Sequence, residues 1–334
     1  MSPRVGDRVA VIGLLLLAPV CAEYLIGYDT STGDVLALLW GLVLLAPLYG
    51  APAVLIRELA RRFGVGWPGI LMMALALGIV QAGILDQSLF SAAYRDIDYL
   101  AEAYRPTLIE PFGVSAGLAL TFLVGHVVWS FSIPIALVEG VRGKPTDRPW
   151  LSVPELILVA LLYLGTAALF LLDHLRTKEE ELASQGQLIG AGATAAVLFV
   201  LAFTLGRRRT SRSGRAPFRD WFARKPFIVF LVGLGVALNY DRMPTTWLGV
   251  AIVLAVLAAV IVVVIWLSRS SRWSGRNVVA LATGGLVAAA VVAFLTDPLG
   301  NEDPTAKFTH NAVLALGVVI LCAVAWRRSS RAYR

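Results

Sequence analysis

The sequence predicts an all-α fold, a polytopic transmembrane helical bundle of about ten spans, and three observations predict it. Of the 334 residues, 58% are hydrophobic and only 15% charged, and the mean hydropathy is +0.75. The apolar residues come in long runs. The 29 basic residues fall into short segments between those runs. A soluble domain carries about 25% charged residues, so a chain this poor in charge lacks the polar surface to face water. Lipid offers no partner for backbone N–H and C=O groups, which leaves helices or a closed barrel. Barrel strands would alternate apolar and polar residues, and these runs do not.

The segments run roughly over 9–28, 35–57, 67–90, 113–139, 153–173, 188–206, 226–243, 246–268, 277–296 and 311–326. The first begins after Arg4 and Arg8 and contains Val20-Cys21-Ala22, which resembles a signal-peptide cleavage site. Apolar residues continue to Tyr28, so it is read as a retained span. An intact mass lacking residues 1–22 would lower the count to nine. The second holds Pro47-Leu48-Tyr49-Gly50-Ala51-Pro52. Each proline removes a backbone donor and disturbs a carbonyl one turn back, so a broken or kinked helix lining a cavity is expected. The seventh has a short apolar core. It is read as a tilted span opened by Pro226, because a re-entrant loop would move Arg269, Arg272 and Arg276 to the opposite side.

Placing the N-terminus inside and alternating puts all the basic residues inside except Arg95, Arg105, Arg176, Lys178, Arg242 and Lys307. This gives an N-in, C-in, multi-pass protein of a bacterial cytoplasmic (inner) membrane. The outer loops are acidic at Lys178-Glu179-Glu180-Glu181 and Asn301-Glu302-Asp303, and Trp67, Trp150, Trp247, Trp266, Trp273 and Trp326 fall near span ends. The net charge of +7 sits in short loops. The expected partners are therefore the bilayer and anionic lipid heads at the inner basic loops, not nucleic acid. For the loop 207–225 a plain topogenic role is the simpler reading. The outer loop 91–112, with Tyr94, Tyr99 and Tyr104, reads as a short interfacial helix or lid, or as a plain connector. Residues 1–334 form one membrane domain with no soluble domain. Ten spans permit a five-plus-five inverted repeat, but the sequence shows none.

Polar groups concentrate in spans one to four, about 9–139, and spans five to ten, about 153–326, read as lipid-facing support. An ionisable residue deep in a span costs about 2.5–3.5 kcal/mol, so it faces a partner or water. Glu23, Asp86 and His126 are the candidate catalytic residues. Helical pitch puts all three in the middle-to-outer part of the membrane, where they could meet. Phe122, His126, Trp129 and Ser130 share one helix face, while Gln81 and Asp86 are about 140° apart on an α-helix and cannot point at one centre. Tyr49, Gln81, Gln87, Trp129 and Ser130 are the candidate substrate contacts. Beside these readings stand plainer ones: acids as packing glue and a satisfied core histidine. Glu58, Arg61 and Arg62 read as a solvated helix end, with Glu139 and Glu155 likewise at inner span ends. Cys21 and Cys322 lack ligand-spaced neighbours. No HExxH, P-loop or GxSxG occurs, so no metal and no cofactor are expected.

Gly78-Ile79-Val80-Gln81-Ala82-Gly83, then Ser88-Leu89-Phe90, then Phe122-Leu123-Val124-Gly125-His126 resemble the CAAX-protease and bacteriocin-processing family of intramembrane glutamic proteases. That family pairs a Glu-Glu motif on one helix with FxxxH on the next. Phe122 and His126 match the second motif. Gln81-Ala82 stand where the acids belong, and the following arginine is missing. The resemblance implies either that Glu23 or Asp86 substitutes as the water-activating carboxylate, or that the protein is a non-catalytic relative. Three functions stay open: a site that binds or processes a membrane-accessible lipid or peptide, a proton- or cation-coupled secondary transporter, and a membrane scaffold or accessory subunit. The orientation is testable by itself. A fluorescent protein that matures only in the cytoplasm should fluoresce when joined after Arg334 and stay dark when inserted at Asp303. The opposite pattern would invert the assignment.

Overall fold

The computed structural model describes residues 3–94, 97–143, 148–177, 182–207, 216–240, 242–300 and 303–331. The acidic run Lys178–Glu181, the pair Asn301 and Glu302, and the arginines 208 and 209 of the longest basic loop lie outside them. The protein is a polytopic helical bundle. Nine helices among the described residues are long and apolar enough to cross a membrane: Val5–Tyr24, Val35–Arg62, Trp67–Leu85, Ala116–Arg142, Val153–Thr177, Gln185–Thr204, Trp247–Ser268, Gly275–Leu295 and Pro304–Ser329.

The remaining candidate is the pair Pro217–Ala223 and Pro226–Tyr240, bent by 75°. Its contacts show that it crosses. Near its start the Ala223 carbonyl accepts from Asn277 Nδ2, at the beginning of the Gly275–Leu295 helix. At its far end the Tyr240 hydroxyl donates to the Leu120 carbonyl near the start of Ala116–Arg142. Counted as one span, it makes ten candidates among the described residues, the seventh short and bent. An even count places the first and last spans on one side, as observed. Asp7 accepts from Arg142 and Arg148, and Arg328 donates to the Val141 carbonyl. That end carries most of the basic residues and is called the basic end below.

The first two spans approach closely because of one proline and one glycine. Pro19 lacks the N–H that would bond the Leu15 carbonyl. That carbonyl lies against Gly50, where an added Cβ would sit 2.2 Å from it. Only a glycine permits this approach. The second span is not broken at its two prolines. It stays one helix from Val35 to Arg62 and widens to a π-helix over Ala46–Gly50. Widening moves the displaced carbonyls outward and keeps the backbone paired, which lipid demands.

The end expected to be solvated is buried. Arg57 and Glu58 have no exposed side-chain surface, and Arg61 is 7% exposed. Arg57 donates to Glu58 at 2.5 Å, to Glu139 at 3.2 Å and to the Arg148 carbonyl at 3.0 Å, and its guanidinium lies 3.4 Å from the Trp150 ring centroid. Arg61 makes two bonds to Glu139, at 2.9 and 2.6 Å. Glu58 also accepts the Trp150 and Leu151 amides. Trp150 thus roofs a buried cation rather than serving only in an aromatic belt. The i+4 contact Glu58–Arg62 is only a 3.7 Å fringe of this network. Glu155 matches the expectation better, at a half-exposed end with Arg8.

The later spans are not uniformly lipid-facing. The Trp247–Ser268 span is 17% buried, but Gly275–Leu295 is 67% buried. The latter shares a core with Cys21, Leu25, Ile133, Leu137 and Val318, joining the ninth span to the first, fourth and tenth. The loop after the third span holds a short helix, Asp98–Tyr104, and a two-residue antiparallel pairing of Leu108–Ile109 with Val114–Ser115. Breaking a buried charge pair by removing one partner costs about 3–5 kcal/mol. Glu139→Ala should therefore lower the thermal unfolding midpoint in detergent markedly, whereas Glu155→Ala should leave it nearly unchanged. Equal effects would deny the network its role.

Candidate functional site

Each of the first four spans turns π-helical over a short stretch: Val20–Tyr24, Ala46–Gly50, Gln81–Leu85 and His126–Ser132. Among the described residues these are the π-helices of the chain. Prolines account for three. Pro19 precedes the first, Pro47 and Pro52 bracket the carbonyls of the second, and Pro134 follows the fourth and leaves the Ser130 carbonyl without its usual donor. The stretches carry or immediately precede the polar residues singled out above: Glu23, Tyr49, Gln81 with Asp86, and His126 with Trp129 and Ser130.

Glu23 is the hub. Its Oε1 accepts a short hydrogen bond from the Tyr49 hydroxyl, and its Oε2 accepts from Tyr28 at 2.7 Å. Tyr28 lies beyond the end of the helix, after a left-handed turn at Gly27 (φ +63°) that carries its hydroxyl back to Glu23. The Tyr49 ring stacks on His126, with centroids 5.9 Å apart and planes 25° apart. His126 Nδ1 lies 3.3 Å from the Ser130 hydroxyl, and the imidazole also stacks on Phe131. Gly78 makes room for it, since a Cβ there would come within 3.0 Å of the His126 Cβ. Asp86 accepts the Ser88 amide at 3.0 Å and is close enough to feel the Glu23 charge. Glu23, Asp86 and His126 are each half-buried, and Tyr49, Gln81 and Ser130 are buried.

The structure therefore brings Glu23, Asp86, His126, Tyr49 and Ser130 together. It also brings in Gln81. On an α-helix Gln81 would point away from Asp86, but the intervening π-turn rotates it back, and its amide interacts with the Asp86 carboxyl. Two residues go elsewhere. Gln87 takes a left-handed backbone conformation, φ +53°, and its buried amide oxygen accepts the Ala183 N–H at 2.6 Å. It ties the end of the third span to the segment before the sixth. Trp129 turns toward the seventh span, its ring 5.9 Å from that of Tyr240, and its Nε1 has no hydrogen-bond partner. The single face expected for Phe122, His126, Trp129 and Ser130 is thus split by the π-turn. Phe122 meets Tyr94 edge-on at 5.6 Å.

Sequence reasoning missed Tyr28 and Tyr94. Tyr28 looked like the last apolar residue of a span, and Tyr94 like part of a loop. Gly27, free to take the left-handed turn that folds the chain back, was the available signal for Tyr28. Among the described residues no group of three or more His, Cys, Asp or Glu is placed to hold a metal ion.

A model of an uncharacterised membrane protein family matches residues 12–332. The chain belongs to that family. The match runs from the first span to the end of the tenth, so the polar site and the spans packed around it fall within one family unit. No curated protein and no solved structure matches the chain.

A hydrogen bond to a charged group contributes about 1.5–3 kcal/mol. Tyr49→Phe and Glu23→Gln should each destabilise the protein. Their double variant should fall short of the sum by about that coupling, measured by thermal unfolding in a double-mutant cycle. Strict additivity would remove the Tyr49–Glu23 bond from the site.

Proposed function

We propose that the protein holds, within spans one to four, an intramembrane polar site that binds a membrane-accessible substrate. One observation carries this reading: four spans give up regular α-helical geometry at the residues that assemble around Glu23. π-Turns inside helices occur frequently at functional sites, and ionisable groups inside membranes mark functional sites by default. The half-burial of Glu23, Asp86 and His126 supports access from outside the packed core.

Binding is favoured over processing by the hydrogen bonds. Each Glu23 oxygen accepts one phenol proton and keeps a second lone pair, which makes a fixed carboxylate that can hold a donor group of a substrate. A processing version, in keeping with the resemblance of Phe122 and His126 to an intramembrane protease motif, would leave Asp86 as the acid with an oxygen to spare. A second reading, transport, draws on a different observation. The basic end is closed by the Arg57–Glu58–Glu139–Arg61 network, and the polar cluster lies toward the other end.

The test is photocrosslinking. A lipid carrying a photoactivatable group near its head, reconstituted with the purified protein, should label peptides from the first four spans around residues 23, 49, 86 and 126. Labelling should fall in Glu23→Gln, Asp86→Asn and His126→Ala. Labelling confined to the exposed sixth and eighth spans, unchanged in these variants, would overturn the proposal.

A further inference from the structure

We propose that this site takes an organic ammonium ion, the amine or quaternary ammonium of a lipid head or of a soluble amine. The inference rests on the substrate-site reading and adds the charge and chemical class of the occupant.

Three observations point the same way. First, the site has carboxylates and no cation. The sequence carries no Lys or Arg at 9–56, 63–94 or 106–141, which covers the first four spans up to their basic ends. Among the described residues neither Glu23 nor Asp86 is in an ion pair; their partners are phenols, an amide side chain and a backbone N–H. Elsewhere the protein pairs its buried acids with arginine, as at Glu58, Glu139 and Asp7. The omission is specific to this site. A phosphate or carboxylate ligand would meet only like charge here.

Second, the surroundings of the acids are aromatic. Tyr49 stacks on His126, and Tyr94 and Phe122 meet edge-on within electrostatic reach of Tyr49. Ring faces attract ammonium groups, and a cage of rings with a nearby carboxylate is the usual recognition of choline-like cations. Third, the phenol donors beside Glu23 are spent. The Tyr49 and Tyr28 hydroxyl protons go to Glu23, one on each oxygen. Each oxygen keeps a second lone pair, which suits an N–H⁺, and the rings suit an N⁺–CH₃. With no cluster of three metal-type ligands among the described residues, an ammonium fits these walls better than a bare divalent ion.

The full chain in nanodiscs of phosphatidylglycerol, which has no amine, should bind choline or ethanolamine saturably. Affinity should fall at least tenfold in Glu23→Gln and in Asp86→Asn and severalfold in Tyr94→Ala, and should hold in Glu155→Gln, which lies at the basic end. If the natural source is lipid, nanodiscs containing phosphatidylethanolamine should compete with the soluble amine. If it is soluble, they should not. Saturable amine binding that ignores both acid substitutions overturns the proposal. So does the absence of amine binding from either source when a neutral diacylglycerol probe still labels spans one to four, an outcome that leaves the substrate site standing. If neither amine nor neutral lipid reaches those spans, the site reading itself falls. Asp86→Asn guards against a Glu23→Gln protein that fails to fold.

Discussion

A proline inside a lipid-embedded helix leaves a carbonyl that no water can satisfy. Much of this protein's architecture follows from how the first, second and fourth spans handle that constraint, and the third adopts the same geometry without a proline at its π-stretch. They widen rather than break. Widening slips the side-chain register by about one residue in each turn it affects. The slip turns Gln81 toward Asp86 and Trp129 away from His126. Gly50 completes the arrangement by letting the Leu15 carbonyl approach the second span, which puts Tyr49 on the Glu23 carboxylate.

Charge is handled in two opposite ways along one bundle. At the basic end, acids and arginines neutralise each other in the interior, with Trp150 laid across Arg57. Burying such a network costs more desolvation than a hydrophobic replacement would, so its return lies in fixing how the second and fourth spans and the 148–151 segment meet. Toward the other end, Glu23 and Asp86 are held by neutral groups, phenols, amides and a hydroxyl. The first arrangement is complete within the protein. The second leaves two carboxylates with no cationic side chain beside them among the described residues.

The membrane class and a count of about ten spans were legible because they rest on composition and on runs long enough to average out local exceptions. So was the grouping of Glu23, Asp86 and His126, which needed only helix pitch and alternating direction. The facial arguments of the sequence reading failed for one reason. Every facial argument assumed a constant 100° per residue, and the π-turns violate that at the residues of interest. The prolines announced a disturbance, but a break and a widening share the same signature. The burial of Arg57 and Glu58 was invisible for another reason. An i, i+4 charge pattern looks alike on a solvated helix end and on one covered by Trp150, and only the tertiary position of the 148–151 segment distinguishes them.

The short seventh span has a consequence for the bilayer itself. Pro226–Tyr240 has 15 residues, about 22 Å of helix at 1.5 Å per residue, against a hydrocarbon core of about 30 Å. Phe227, Leu231 and Val232 are exposed on it and meet lipid tails. On that flank the membrane must thin or the polar ends must be drawn inward, a mismatch costing fractions of a kcal/mol per ångström. Shorter acyl chains around that flank would relieve the mismatch.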